Sequence, residues 1–177
     1  MFYFNFSSLR IAYLFFSVTL SENKRKKMRV IIQRVSCASV EIDGKIFSKI
    51  KNGLLILVGI ENDDNEDDIE YLTKKISQLR IFNDETGVMN KSVMEIDGEI
   101  LAISQFTLHA QTKKGNRPSY IKAAKPEISL PMYSTFCANL SEKINKPVKM
   151  GIFGADMKVD LRNDGPVTIL MDSKNKE

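Results

Sequence analysis

Hydrophobic and polar positions divide this chain into runs with two different periods. Gly53–Ile60 is almost wholly apolar, and Ile100–Ile103 opens a second such run, the pattern of strands covered on both faces. Met28–Ile50 alternates instead: Val30, Ile32 and Val35 bracket Gln33 and Arg34, and Val40 and Ile42 lead through Asp43-Gly44 to Ile46 and Ile50. Asp-Gly between alternating runs predicts a two-residue hairpin, because both central positions of that turn need positive φ. Spacings of three and four residues mark two helices. Ile69, Leu72, Ile76 and Leu79 follow an acidic loop at 61–68, and acids suit the start of a helix through its dipole. Leu130, Tyr133, Phe136, Leu140 and Ile144 form the second face, with Ser129 as the expected cap and Pro131 in the first turn.

Between the helices, residues 80–82 read as a short strand, 83–87 as a turn and 88–96 as a strand ending in a second Asp-Gly hairpin signal, Asp97-Gly98. Three strands, at 148–153, 157–162 and 167–171, close the chain. Many strands with two helices, out of strict βαβ alternation, predict an α+β fold with a curved mixed sheet.

Two stretches break the pattern. Ser104, Gln105 and Thr107 stand where the buried strand should remain apolar, and polar groups at the end of such a strand must find partners or do chemistry. On continued alternation His109 would share their face. Asn163-Asp164-Gly165-Pro166-Val167-Thr168 lies between two expected strands, where Gly-Pro reads as a turn. Arg34 is a cation within a largely apolar strand, either a solvent-facing edge charge or a paired support for a site.

Composition narrows the picture. At 177 residues the chain suits one domain. Of its 26 basic and 22 acidic residues, five and one lie in residues 1–27, so residues 28–177 balance at 21 each. The net positive charge therefore says nothing of nucleic-acid binding by the body. Residues 1–27 read as a separate N-terminal extension, with Met28 as the expected working start; an organellar leader is the other reading. Their apolar run is too short to span a bilayer. Cys37 and Cys137 lack metal or redox spacing and suggest buried thiols in a reducing, cytoplasmic compartment. The loop at 112–125 carries Lys113, Lys114, Arg117, Lys122 and Lys125 around Tyr120, a candidate phosphate-contact surface.

Residues 28–177 resemble the D-aminoacyl-tRNA deacylases. The resemblance rests on Met-Arg-Val-Ile-Ile-Gln-Arg-Val at 28–35, Gly-Leu-Leu-Ile-Leu-Val-Gly at 53–59, Arg-Ile-Phe at 80–82 and Ser-Gln-Phe-Thr-Leu at 104–108. Arg-Pro-Ser-Tyr at 117–120, Ala-Asp-Met at 155–157 and Asn-Asp-Gly-Pro-Val-Thr at 163–168 complete it in order. It implies a three-layer β-β-α homodimer with barrel-like sheet layers and both helices on one side. It also implies hydrolysis of D-aminoacyl-tRNA, and of glycyl-tRNA mischarged on tRNA(Ala), without metal, cofactor or membrane. Ser104, Gln105, Phe106 and Thr107 match the catalytic strand. Gly165 and Pro166 match a cis peptide inserted into the partner's pocket to exclude L-side chains. Arg34 matches an arginine that braces this loop, and Asn163 and Thr168 flank it. Lys113, Lys114, Arg117 and Lys122 are the tRNA-contact candidates.

The chemistry expected is ester hydrolysis with backbone N–H groups of Phe106 and Thr107 facing the developing negative charge. Thr107 is the obvious hydroxyl nucleophile, yet an unassisted hydroxyl needs a base, and His109 is the only histidine. Water assisted by the substrate's own 2′-OH is the favoured reading. The rivals are a non-catalytic RNA-binding module, a threonine-dependent hydrolase and a structural interaction protein.

Overall fold

The computed structural model of the chain describes residues 28–175; the extension at 1–27 lies outside them. Its strands are β1 (Arg29–Ile42), β2 (Lys45–Ile50), β3 (Gly53–Gly59), β4 (Phe82–Asn83), β5 (Met89–Lys91), β6 (Glu99–Ser104), β7 (Lys149–Met150) and β8 (Lys158–Asp172). The helices are α1 (Glu66–Gln78) and α2 (Pro126–Ile144), and Phe106–His109 forms a 3-10 turn.

β1 is the organising strand. One edge pairs antiparallel with β3 over Arg29–Val35 and with β2 over Ala38–Ile42, and the other edge carries β8. Parallel β6 and β7 extend the sheet beyond β3. The sheet curls until β2 meets β7, where Ser48 Oγ donates to the Met150 carbonyl at 2.8 Å, and the result is a nearly closed mixed barrel. The hairpin between β1 and β2 turns at Asp43 and Gly44, with φ of 51° and 73°, as their sequence requires.

The continuous apolar strands serve two cores because alternate side chains face opposite ways. Leu54, Ile56, Val58, Ile100 and Ala102 meet the helices, while Leu55, Leu101 and Ile103 fill the barrel with Val35, Val40 and Ile50. Both helices cover the same side. α1 presents Ile69, Leu72 and Ile76, and α2 presents Tyr133, Phe136, Leu140 and Ile144. Asn65 caps α1 and forms a reciprocal capping box with Asp68.

Several expectations change. Helix α2 begins at Pro126, where the missing N–H costs nothing. Ser129 is therefore inside the helix, its hydroxyl bonded to the Lys125 carbonyl at 3.0 Å, and Leu130 faces outward. Asp97-Gly98 is not a hairpin, because β6 pairs parallel with β3. Instead Asp97 takes φ 53° and Gly98 N–H returns to the Val93 carbonyl at 2.8 Å, the closure that ends a helical turn. Only Met89–Lys91 of the expected 88–96 strand is extended, and it pairs with β4. The three closing strands are a two-residue β7 and one fifteen-residue β8 that runs through residues 163–168. Cys137 is buried and Cys37 is exposed, so one thiol expected inside lies outside. No helix among the described residues is long and apolar enough to cross a membrane.

Candidate active site

β6 ends at Ser104, one residue after its last apolar side chain. Gln105 keeps a ladder bond, N–H to the Val58 carbonyl at 2.7 Å, and the chain then tightens into the 3-10 turn. Gly59 permits this. A Cβ there would lie 2.9 Å from Leu108 Cβ and His109 Nε2 and 3.1 Å from the Gln105 carbonyl oxygen. From the neighbouring strand Arg29 Nη1 donates to the Leu108 carbonyl at 3.0 Å.

The turn separates residues that alternation would have aligned. His109 is buried, its Nδ1 3.0 Å from Glu61 Oε1 without making a hydrogen bond. It faces the packed interior beside Gly59 and does not line the cleft. Gln105 and Thr107 do remain together, with Gln105 Nε2 donating to Thr107 Oγ1 at 2.6 Å. Phe106 and Thr107 open the 3-10 turn, the positions whose amides such a turn leaves without an internal acceptor.

Ser104, Gln105 and Phe106 line a cleft of about 310 Å³ with Val58, Ile60, Ala124, Ser129 and the segment Phe153–Met157. This is the size of small-ligand sites. Outside the lining, Tyr133 ties α2 to β6 by donating to the Ala102 carbonyl at 2.8 Å. Burial raises the Tyr133 phenol well above its ordinary value and pushes the adjacent Cys137 thiol up to about 12, so neither supplies a nucleophile. Asp156 is the cleft's carboxylate, and it is paired with Lys158 at 2.8 Å near the open surface. Phe153 and Met157 were not among the expected site residues. Their signal was the Ala155-Asp156-Met157 motif, which a contact map is needed to place.

The second polar stretch is a protrusion. Between Gln33 and Val35 the opposing strand advances from Thr168 to Asn163, so residues 164–167 bulge out of the ladder. Asn163 Nδ2 closes the base by donating to Thr168 Oγ1 at 3.2 Å. Arg34, buried at 7% exposure, braces it from beneath: Nε donates to the Asp164 carbonyl at 3.0 Å and Nη1 to the Ile81 carbonyl at 2.6 Å. The Gly165–Pro166 peptide is cis. Gly165 has φ 119°, and a Cβ there would lie 2.7 Å from Arg34 Nη2, so a side chain would push against the brace.

The two stretches do not meet within one chain. Ser104 pairs with Val58, Val58 with Val30 and Val30 with Met171, whereas the protrusion lies level with Arg34. Four residues of strand separate those levels, roughly 13 Å. Lys113, Lys114, Arg117 and Lys122 are exposed on the loop after the turn and stand outside the cleft lining.

Residues 31–172 match the family model described as D-Tyr-tRNA(Tyr) deacylase. A D-aminoacyl-tRNA deacylase of Bacteroides thetaiotaomicron is 67% identical over 150 residues, covering 85% of this chain and all of the relative. One of Flavobacterium psychrophilum is 65% identical over the same coverage. The solved structure of a c-Myc DNA unwinding element binding protein superposes with a TM-score of 0.77 at 40% identity, covering 81% of this chain and 97% of that one. A probable eukaryotic D-amino acid tRNA deacylase superposes with a TM-score of 0.71 at 16% identity, covering 82% and 99%, which shows a shared fold. The chain belongs to the D-Tyr-tRNA(Tyr) deacylase family and is a hydrolase acting on ester bonds.

Proposed function

We propose that this protein hydrolyses the ester of D-aminoacyl-tRNA, and of glycyl-tRNA mischarged on tRNA(Ala), and rejects the L-aminoacyl ester by shape. The terminal nucleoside occupies the cleft beside Ser104, Gln105 and Phe106. The ester carbonyl faces the amides of Phe106 and Thr107, which stabilise the oxyanion of the tetrahedral intermediate without reorganisation. Water attacks, assisted by the vicinal ribose hydroxyl, and the carboxylate and the ribose hydroxyl leave.

The observation that carries this reading is the 3-10 turn itself. Its first residue, Phe106, lines the cleft and has an amide without an acceptor inside the turn, Thr107 follows it, and the chain's one histidine stays outside the lining. The Thr107 hydroxyl already accepts from Gln105 and has no base beside it, so its role is to orient. Thr107→Ala therefore keeps measurable turnover, whereas a 2′-deoxy-terminated tRNA is a poor substrate. Full activity on the deoxy substrate would rule out ribose assistance.

Selection needs a wall at the α-carbon. The carbonyls of Gly165 and Pro166 from a second copy of the chain make that wall, since the chain's own protrusion lies four residues along the strand from the level of Ser104. A wall of main-chain atoms admits an α-hydrogen and clashes with an L-side chain. The long β8 has Leu161 and Leu170 exposed and one edge without a strand partner among the described residues, which supports a homodimer surface there. The test is release of amino acid from matched D-, L- and glycyl-tRNA by the purified protein. Release from the D- and glycyl esters alone is expected. Equal release from the L-ester, or none from the D-ester, refutes the proposal.

A further inference from the structure

The hydrolytic chemistry uses the amide of Phe106 and leaves its ring idle. That ring is 56% exposed at the lip of the cleft and meets Tyr120 edge to face, with centroids 5.0 Å apart and planes at 79°. Tyr120 is itself 39% exposed, and Ile121 beyond it is 81% exposed. Such surface is costly to leave open beside a site unless something covers it.

The pair is rigid although it sits on a loop. Gln111 and Ser119 exchange two backbone hydrogen bonds, at 2.8 and 3.0 Å, which clamp the loop's stem. Ala123 N–H closes a turn on the Tyr120 carbonyl at 3.0 Å, and Ala124 N–H ties the far side to the Ile60 carbonyl at 2.8 Å. Between these ties Lys113, Lys114, Arg117 and Lys122 all stand exposed. Among the described residues none of these four loop cations pairs with a carboxylate, as is also true of Lys45, Lys49, Lys51, Lys74 and Lys75 elsewhere, but these four stand on the loop that carries Tyr120.

Aromatic faces interleaved with uncompensated cations are the chemistry that holds single-stranded nucleic acid: bases stack on the rings and phosphates meet the charges. We infer that Phe106 and Tyr120, with the loop cations beyond them, form a platform for the unpaired nucleotides that precede the terminal nucleoside of the acceptor strand. This rests on the deacylase reading and states which part of that substrate is gripped outside the reactive cleft. The platform is continuous with the cleft because Phe106 belongs to both, so a strand leaving the cleft passes over the rings and then along the cations.

The test compares kcat/KM on D-aminoacyl-tRNA with kcat/KM on D-aminoacyl-adenosine, which has no preceding nucleotides. In Tyr120→Leu, which retains apolar contact with Phe106, the ratio of the two falls about tenfold or more; Tyr120→Phe retains the wild-type ratio. An unchanged ratio in Tyr120→Leu, including one that arises from equal losses on both substrates, overturns the inference. A second variant carrying Lys113→Ala, Lys114→Ala and Lys122→Ala alters exposed side chains only. Its kcat/KM on tRNA depends less steeply on salt than that of the wild type, and an unaltered slope removes the loop from the platform. If the wild-type protein hydrolyses neither D-ester, the deacylase reading itself fails, which these variants alone would not show.

Discussion

The turn after Ser104 is held by close packing, whereas the protrusion at 164–167 hangs on one buried cation. At the turn the Leu108 and His109 side chains and the Gln105 carbonyl lie close against Gly59, and Glu61 stands beside His109. At the second end the guanidinium of Arg34 reaches the Asp164 and Ile81 carbonyls, and Asn163 and Thr168 close the base. Packing tolerates no added volume. A charged brace tolerates no lost donor, because the carbonyls it satisfies are left unpaired. The two ends should therefore fail in different ways.

The largest effect is expected at Arg34. Arg34→Ala abandons the buried Ile81 carbonyl and the partly buried contact to the Asp164 carbonyl, and should cost about 3 kcal/mol in denaturant unfolding. It should also abolish discrimination between D- and L-esters where any turnover survives. Arg34→Lys retains the charge but not the planar fork, and should fall between. Stability within 1 kcal/mol of wild type would show that the brace is dispensable.

Next come the two glycines, which sharpen the contrast. Gly59→Ala forces a methyl against Leu108, His109 and the Gln105 carbonyl, with an expected loss of about 2 kcal/mol and a displaced catalytic turn. Gly165→Ala puts a methyl against the Arg34 guanidinium and Val167 Cγ2 on the exposed protrusion, at φ 119°, with an expected loss of about 1 kcal/mol. The prediction is that Gly59→Ala lowers hydrolysis of the D-ester, whereas Gly165→Ala chiefly raises leakage on the L-ester. Thermal unfolding with paired D and L assays measures both, and a reversed pattern would exchange the roles assigned to the two ends.

The smallest effect belongs to pH. Asp64 is buried beside Glu61, and burial, with Asp68 and Glu61 as like charges nearby, raises its carboxyl from 3.8 to about 7. The folded protein thus holds this proton more tightly than the unfolded chain does. Its stabilising contribution is complete below pH 3.8 and is lost as pH rises through about 7. Asp64→Asn keeps an acceptor for the Glu61 amide, now bonded at 2.7 Å, and removes the charge. It should make the protein more stable at pH 8, by under about 1 kcal/mol once solvent screening of this carboxyl is allowed for, and flatten the decline in stability between pH 4 and 7. Chemical denaturation at several pH values checks the sign.

Much of the architecture was legible from periodicity. Spacing of three and four identified most of the buried face of each helix, missing at Leu79 and Leu130, and Asp43-Gly44 marked a true hairpin, because each depends on local geometry alone. Asp97-Gly98 misled because the same left-handed preference also closes a helical turn. The Ser-Gln-Phe-Thr and Asn-Asp-Gly-Pro stretches were visible as polar breaks in apolar runs. Their shapes were not visible, since alternation cannot foresee a turn that a glycine on another strand makes room for.

By itself the sequence determined which apolar strands are covered on both faces, where two helices run and which two stretches carry unusual polarity, because period is written in neighbouring positions. Tertiary structure alone decided that His109 turns inward, that 163–168 is a protrusion on one strand, and that Arg34 finds acceptors 47 and 130 residues away. Those outcomes depend on which strands become neighbours, and a side chain's long-range partners exist only after the sheet has curled.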